Sequence, residues 1–506
     1  MASTTSINTA CNPDEDYDVI PPHHDRRTLV LCFDGTGDQF DADNSNIIML
    51  FSMLQKDDPS QQMVYYQAGI GTYTPPQIAT PQTASMLKTL DEALAIFLDA
   101  HVMGGYRFLM QNYRAGDKIC LFGFSRGAYT ARALAGMVHK VGLLPRDNDQ
   151  QVPFAYHMFC RTDAKGWEQS TAFKKAFSMD VEIDFIGVWD TVCSVGLFPK
   201  SLPFVSSNRA IKTFRQALSL DEHRAKFKAN HWNEPEAHEK ALGTQPGEMP
   251  SRGTSKAKQG NSNHDLQVEM DDGHNETDVL EVWFAGCHCD VGGGSVPNDS
   301  EHNLARIPLR WMIREIFKAN VGIRFHADLL RKIGLNPDTL YPYVLARPPA
   351  VTELPVDITN ALEQEAARKA AVQNSAKKGK SKQLSSVPGD ALLANRNIHL
   401  TEEQEDFVDA HCPIYDELSL ARWWWILELL PLQHRHQKPD GGWKRYWSIN
   451  LGEGRTIPDS VDGNTKFLVH RSVKTRLEAQ TLQGGSYKWK AIFPAGAKEV
   501  KPTWVD

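Results

Sequence analysis

The sequence has no excess of basic charge. Its 55 lysines and arginines are outnumbered by 62 aspartates and glutamates, leaving a net charge of −7. That excludes the cationic footprint expected of a nucleic-acid-binding surface. No uninterrupted apolar stretch reaches the roughly 18–20 residues that a transmembrane helix needs. The eight cysteines are scattered along 506 residues instead of forming a dense framework. Cys32, Cys120 and Cys193 lie in or beside apolar strand-like runs, where a thiol acts as a small hydrophobe. A reducing compartment follows, with the cytoplasm as the expected location. Met1 to Asp25 is polar, carries Asp14, Glu15 and Asp16, and has no apolar core of a secretory signal. Residues 1–26 are expected to be a disordered tail. No internal repeat is present.

What is present is an alternation of apolar runs and helix-forming stretches. Arg27 to Asp34 is a β-forming run that stops at Gly35-Thr36-Gly37-Asp38. Met63 to Gln67, Asp117 to Phe122, Val181 to Trp189 and Val279 to Ala285 read the same way. Asn46 to Leu54 and Ala84 to Asn112 are predicted helices, the second broken at Gly104-Gly105. Near-continuous apolar strands that end in glycine-rich or polar loops predict a mostly parallel sheet with helices on both faces. Ligands of such sheets bind at the carboxyl ends of the strands.

Length suggests two or three domains, or one large α/β domain with insertions. Residues 27–345 are expected to form the catalytic domain, and 346–506 a C-terminal region. Residues 233–278 and 364–390 have too few large apolar side chains to offset chain entropy and are predicted mobile insertions. Lysines 377, 378, 380 and 382 of the second read as a solvated linker. Leu418 to Leu432 contains Trp423, Trp424 and Trp425 and is predicted to be one helix, its aromatic face docked on the core. The alternative is a lipid-facing or substrate-covering cap.

The chemistry centres on Gly123-Phe124-Ser125-Arg126-Gly127, between an apolar strand and a helix-forming stretch. This is the G-x-S-x-G nucleophile elbow, whose turn is too sharp for side chains at the glycines. A serine hydroxyl needs an imidazole to take its proton and a carboxylate to orient the imidazole. Asp190 follows the next strand and His288 a later one, in the order serine, acid, histidine. Asp290, two residues from His288, is the rival acid. Adjacent Cys287, His288 and Cys289 diverge too much to chelate zinc, and neither a metal nor a cofactor is implied. The oxyanion contacts are assigned to the N–H of Arg126 and to Gly35 and Thr36. Asp34 either lines this site or bonds its own loop.

These motifs resemble a known family. Phe33-Asp34-Gly35-Thr36, Tyr66 to Thr72, Gly123 to Ala128, Gly187 to Val192 and Trp283 to Gly293, in that order, are similar to the α/β-hydrolase family catalogued as domain of unknown function 2235. That family includes the type VI secretion phospholipase effectors. Leu309 to Met312 and Val469 to Val473 fit in the style of its fungal members. The likeness covers residues 27–345 well and the C-terminal part loosely. It implies a Ser125–Asp190–His288 triad and, for the bacterial effectors, cleavage of phospholipid acyl esters. The chain differs from those effectors in its low-complexity insertions and in showing no secretion or membrane-targeting element.

The expected function is therefore a serine hydrolase of carboxylic esters, acting on a small-molecule or lipid substrate with peripheral membrane contact. One alternative is a metal-dependent phosphohydrolase using Asp34, Asp38 and Asp190, although the second aspartate such enzymes place two residues after the first is Thr36 here. The other is a non-catalytic scaffold that keeps the fold.

Overall fold

The computed structural model describes residues 18–36, 38–69, 83–192, 210–233, 243–244, 249, 276–364, 400–437, 443–458, 467–479, 486–493 and 500–506; for 83–97, 434–437 and 443–445 it describes the backbone alone. Most of the expected N-terminal tail and of the two expected insertions, together with Cys193 and Ile70 to Thr72, lies outside these residues.

Among the described residues eight strands form one sheet: β1 Thr28–Phe33, β2 Gln62–Gln67, β3 Lys118–Phe124, β4 Ile183–Trp189, β5 Ile211–Ser219, β6 Asp278–Phe284, β7 Leu468–His470 and β8 Thr503–Val505. Their spatial order is β8-β7-β6-β5-β4-β3-β1-β2, and every pairing is parallel. The fold is the mostly parallel α/β-hydrolase-like class that the strand and loop pattern predicts. The winding direction reverses at β1, which has β2 on one side and β3 on the other. In such sheets the carboxyl ends of the strands at the reversal are the place where ligands bind.

Both faces of the sheet are covered. Leu29, Leu31 and Phe33 of β1 point into one core and Val30 and Cys32 into the other, the two-residue alternation of a strand buried on both sides. The first core is closed by α2 Thr83–Asn112, α3 Ser125–Val141, α4 Val152–Cys160 and α5 Ala164–Phe177. The second is closed by α1 Asn46–Met53 and α7 Arg306–Lys318, with the short α6 His288–Gly292 between β6 and α7.

The predicted break at Gly104-Gly105 does not occur; α2 runs through it. A Cβ on Gly105 would lie 2.7 Å from Phe33 Cζ and 2.8 Å from Leu134 Cδ2. These glycines let the helix approach the sheet and α3 closely, and that packing outweighs their weak helix propensity.

β5, like the short β7 and β8, is a strand that the apolar pattern misses. Arg215 and Gln216 interrupt its hydrophobic run, yet both are buried. Arg215 Nε donates to Glu315 Oε2 at 2.6 Å, and Gln216 Nε2 donates to Glu281 Oε1 at 2.5 Å.

The C-terminal region supplies β7, β8 and α8 Glu402–Ala410, followed by α9 Arg471–Glu478. Acidic α8 lies against α7 through buried ion pairs, Arg310 with Asp406 at 2.7 Å and with Asp409 at 2.6 Å, and Arg314 with Glu402 at 2.5 Å. The expected single helix over 418–432 is instead broken into short pieces, Glu417–Leu420, Arg422–Trp424 and Trp425–Glu428, before a strand begins at Leu432. Its aromatic face docks only in part: Trp424 packs on Phe227 with ring centroids 5.6 Å apart, while Trp423, Ile426 and Leu429 are 57%, 65% and 60% exposed. The anchors are Leu418 and the carboxylate of Glu428, which accepts from Ala225 N–H at 2.6 Å, Asn450 Nδ2 at 2.6 Å and Gly452 N–H at 2.9 Å. With a polar residue holding the segment down, the rings of Trp423 and Trp425 turn outward. Among the described residues no helix is long and apolar enough to cross a membrane.

Candidate active site

β3 runs into α3 without a loop, so Ser125 sits at the apex of a strand–helix turn with φ of 58°. That is a strained conformation for a residue with a Cβ, held only where the surroundings impose it. Both motif glycines are required by contact. A Cβ on Gly123 would come within 2.5 Å of Ala128 Cα, and one on Gly127 within 2.2 Å of the Phe33 carbonyl oxygen.

Three strand ends converge on this turn. Asp190 follows β4, also at positive φ (45°), and His288 opens α6 just past β6. The Ser125 Oγ and His288 Nε2 atoms lie 2.8 Å apart, and His288 Nδ1 and Asp190 Oδ2 2.5 Å apart. The imidazole is packed between Phe124, with ring centroids 4.7 Å apart, and the edge of Phe227, 4.9 Å away. Burial lowers the His288 pKa below its ordinary value of 6.5, while Asp190 partly offsets that shift. Burial alone would raise the Asp190 carboxyl. The Arg455 guanidinium and the His288 bond prevail and hold it below the usual carboxylate range.

The remaining sequence candidates separate. Asp290 stays away from the imidazole: its Oδ2 accepts from the backbone N–H groups of Cys287 and Tyr415, each at 2.9 Å. Burial raises its pKa to about 7. Asp34 is a loop anchor, since its carboxylate accepts from Ser45 Oγ at 2.6 Å, Tyr66 OH at 2.8 Å and Gly35 N–H at 2.9 Å. This corrects the assignment of Gly35 as an oxyanion donor, because its N–H is already engaged. Arg126 lies in the first turn of α3, where a backbone N–H has no intrahelical acceptor. Two of the three carboxylates of the phosphohydrolase alternative are already engaged: Asp34 by Ser45, Tyr66 and Gly35, and Asp190 by His288 and Arg455.

Three residues at the site escape sequence reasoning: Ser219, Phe227 and Arg455. Ser219 N–H donates to Asp190 Oδ1 at 2.9 Å from the end of the unpredicted β5. Arg455, in a glycine-rich loop, carries no local signal; only the tertiary fold brings it to Asp190. Phe227 leads outward, its ring 5.6 Å from that of Trp424, which stacks on exposed Trp423 at 4.2 Å.

Among curated proteins the chain is 28% identical to an uncharacterized protein of Saccharomyces cerevisiae, YEL023C, over 92% of this chain and 81% of that one. Among solved structures it is similar to an uncharacterized protein from Pseudomonas aeruginosa (19% identity, TM-score 0.31) and to the Tle1 effector bound to the VgrG spike of the type 6 secretion system (19% identity, TM-score 0.28). Each match covers 59% of this chain, which spans 46% of the first solved chain and 56% of the second. Residues 27–315 match the catalytic domain of the Tle1-like type VI secretion phospholipase effectors. The chain belongs to that family, a family of ester-bond hydrolases.

Proposed function

We propose that the protein is a serine hydrolase that cleaves carboxylic esters, lipid acyl esters above all, through Ser125, His288 and Asp190. The observation that carries this reading is the hydrogen-bonded sequence from Ser125 Oγ to His288 Nε2 at 2.8 Å and from His288 Nδ1 to Asp190 Oδ2 at 2.5 Å. Ser125 attacks the ester carbonyl as His288 takes its proton. His288 then returns that proton to the leaving alcohol, and Asp190 holds the imidazole in the Nδ1–H tautomer. The oxyanion falls to the N–H of Arg126 and, with Gly35 engaged, to that of Thr36. Water, activated by His288, releases the acid from the acyl-enzyme.

The exposed side chains of Trp423, Trp425, Ile426 and Leu429, on one short stretch of chain, support a lipid surface as the place of action. That stretch lies one aromatic contact beyond the Trp424–Phe227–His288 series. Aromatic side chains with a polar handle favour the lipid–water boundary. The cytoplasm fits the buried thiols of Cys32, Cys120 and Cys287.

Acyl-ester profiling of wild type beside Ser125→Ala tests the reaction. Wild type is expected to hydrolyse carboxylic esters and the variant to lose that activity; equal rates would sink the mechanism. Trp423→Ser/Trp425→Ser is expected to lose vesicle binding while keeping hydrolysis of a short soluble ester. Unchanged vesicle binding would remove the membrane part of the reading.

A further inference from the structure

We propose that Arg455 is a positioning residue for catalysis: it clamps both oxygens of Asp190 from the C-terminal region, so that the triad is completed by residues beyond 27–315. The inference rests on the triad reading above.

The geometry is that of a built clamp. Arg455 Nη1 reaches Asp190 Oδ1, and Nη2 lies 2.8 Å from Oδ2. Nη1 also donates to Ser219 Oγ at 2.8 Å, and Nε and Nη2 donate to the Phe227 carbonyl, at 2.9 and 2.5 Å. Arg455 and Asp190 are 1% and 0% exposed. Two parallel N–H···O bonds fix the carboxylate plane, which a lone backbone donor cannot do. With Ser219 N–H and His288 Nδ1 also on the carboxylate, its rotation is blocked in the orientation that presents Oδ2 to the imidazole. The Phe227 carbonyl links the same guanidinium to the ring that packs against His288.

Arg455 is itself held in register. Its carbonyl accepts from Ile492 N–H at 2.8 Å, and Ile457 N–H donates to the Ile492 carbonyl at 2.8 Å. Ala491 N–H in turn donates to Leu220 O at 2.9 Å, which ties this layer to the end of β5. The preceding Gly454 passes so close to Lys490 that a Cβ there would lie 1.8 Å from its carbonyl oxygen. The clamp is thus organised before any substrate binds.

The charge matters as well as the geometry. A buried carboxylate raises the basicity of the histidine it contacts, and a guanidinium on its other side removes part of that effect. The charged groups acting on His288 are Asp190, Arg224 and Glu222, with Arg455 directly behind Asp190; Arg224 and Glu222 pair with each other at 2.8 Å. Arg455 therefore holds Asp190 ionised yet keeps it from locking His288 in the imidazolium form, which cannot act as base.

The test is the rate at which a fluorophosphonate labels Ser125, followed from pH 4.5 to 9, in wild type, Arg455→Met and Arg455→Lys. Arg455→Met is expected to label at least ten-fold more slowly at its plateau. Its acid limb should rise by about one to two pH units, the effect of one charge at an effective dielectric near 20. Arg455→Lys keeps the charge and loses the fork, so its limb should stay at the wild-type position with a plateau several-fold lower. A uniform fall in Arg455→Met with no movement of the limb would reduce Arg455 to a structural residue and overturn the proposal. Should Arg455→Met fail to fold, labelling of Arg455→Lys at the wild-type rate would overturn it equally. Failure of wild type itself to label at Ser125 would instead defeat the triad reading.

Discussion

Asp190→Asn separates this site from a triad whose acid is held by neutral donors alone. In the wild type, Asp190 accepts from His288, from Ser219 N–H and from two nitrogens of Arg455, all buried. An asparagine keeps the shape but places an NH2 among these donors. If that NH2 faces His288, Nδ1 must become the acceptor, the proton moves to Nε2, and the imidazole can no longer take the serine proton. The tautomer error in a Ser–His–Asp enzyme costs about 10⁴ in kcat. A second effect is specific to this fold. Breaking a buried ion pair from one side costs about 3–5 kcal/mol. Arg455 retains Ser219 Oγ and the Phe227 carbonyl, so the lower end, about 3 kcal/mol, is expected here. Ester hydrolysis measured with urea unfolding reads both effects, with Ser125→Ala as the control that loses activity at a stability cost under about 1 kcal/mol. Wild-type turnover by Asp190→Asn would refute its role as the acid. An inactive variant with wild-type stability would refute the account of the clamp.

The acid limb of kcat/KM in wild type is expected below pH 6.5, because burial lowers the His288 pKa and its base form survives to lower pH; a limb above pH 7 would contradict this. Asp290, with a folded pKa raised to about 7, binds more protons folded than unfolded above pH 4, so its contribution to stability is lost as pH rises toward 7. Asp290→Asn keeps both bonds, since both go to one oxygen, and should flatten that part of the stability–pH curve measured by urea unfolding. Gly105→Ala should destabilise by about 1–3 kcal/mol through contact with Phe33 and Leu134, read as a lower Tm. Arg310→Ala should cost about 3–5 kcal/mol by leaving Asp406 and Asp409 buried without their shared partner, which urea unfolding would also detect.

What the sequence made legible was local. A strand buried on both faces has to be apolar, so β1, β3, β4 and β6 stood out, and their ends marked Ser125, Asp190 and His288. The elbow was readable because its backbone geometry demands glycines at fixed spacing. β5 was hidden because Arg215 and Gln216 find partners only on neighbouring elements that lie far away in sequence. Arg455 was hidden for the same reason: its role exists only once residues 219, 227 and 190 have been brought together. The segment 418–432 misled because apolar content alone does not say which side is anchored, and here the anchor is the carboxylate of Glu428. Asp34 was ambiguous between lining a site and bonding its loop; Ser45 and Tyr66 decide for the loop.

The central claim is that Ser125 is a nucleophile activated by His288. Its most direct test is mass-spectrometric mapping of a fluorophosphonate adduct on wild type, Ser125→Ala and His288→Ala. The account predicts a single adduct on the peptide containing Gly123 to Gly127, absent in the first variant and slowed by several orders of magnitude in the second. An adduct on another residue, or equal labelling of the histidine variant, would contradict it.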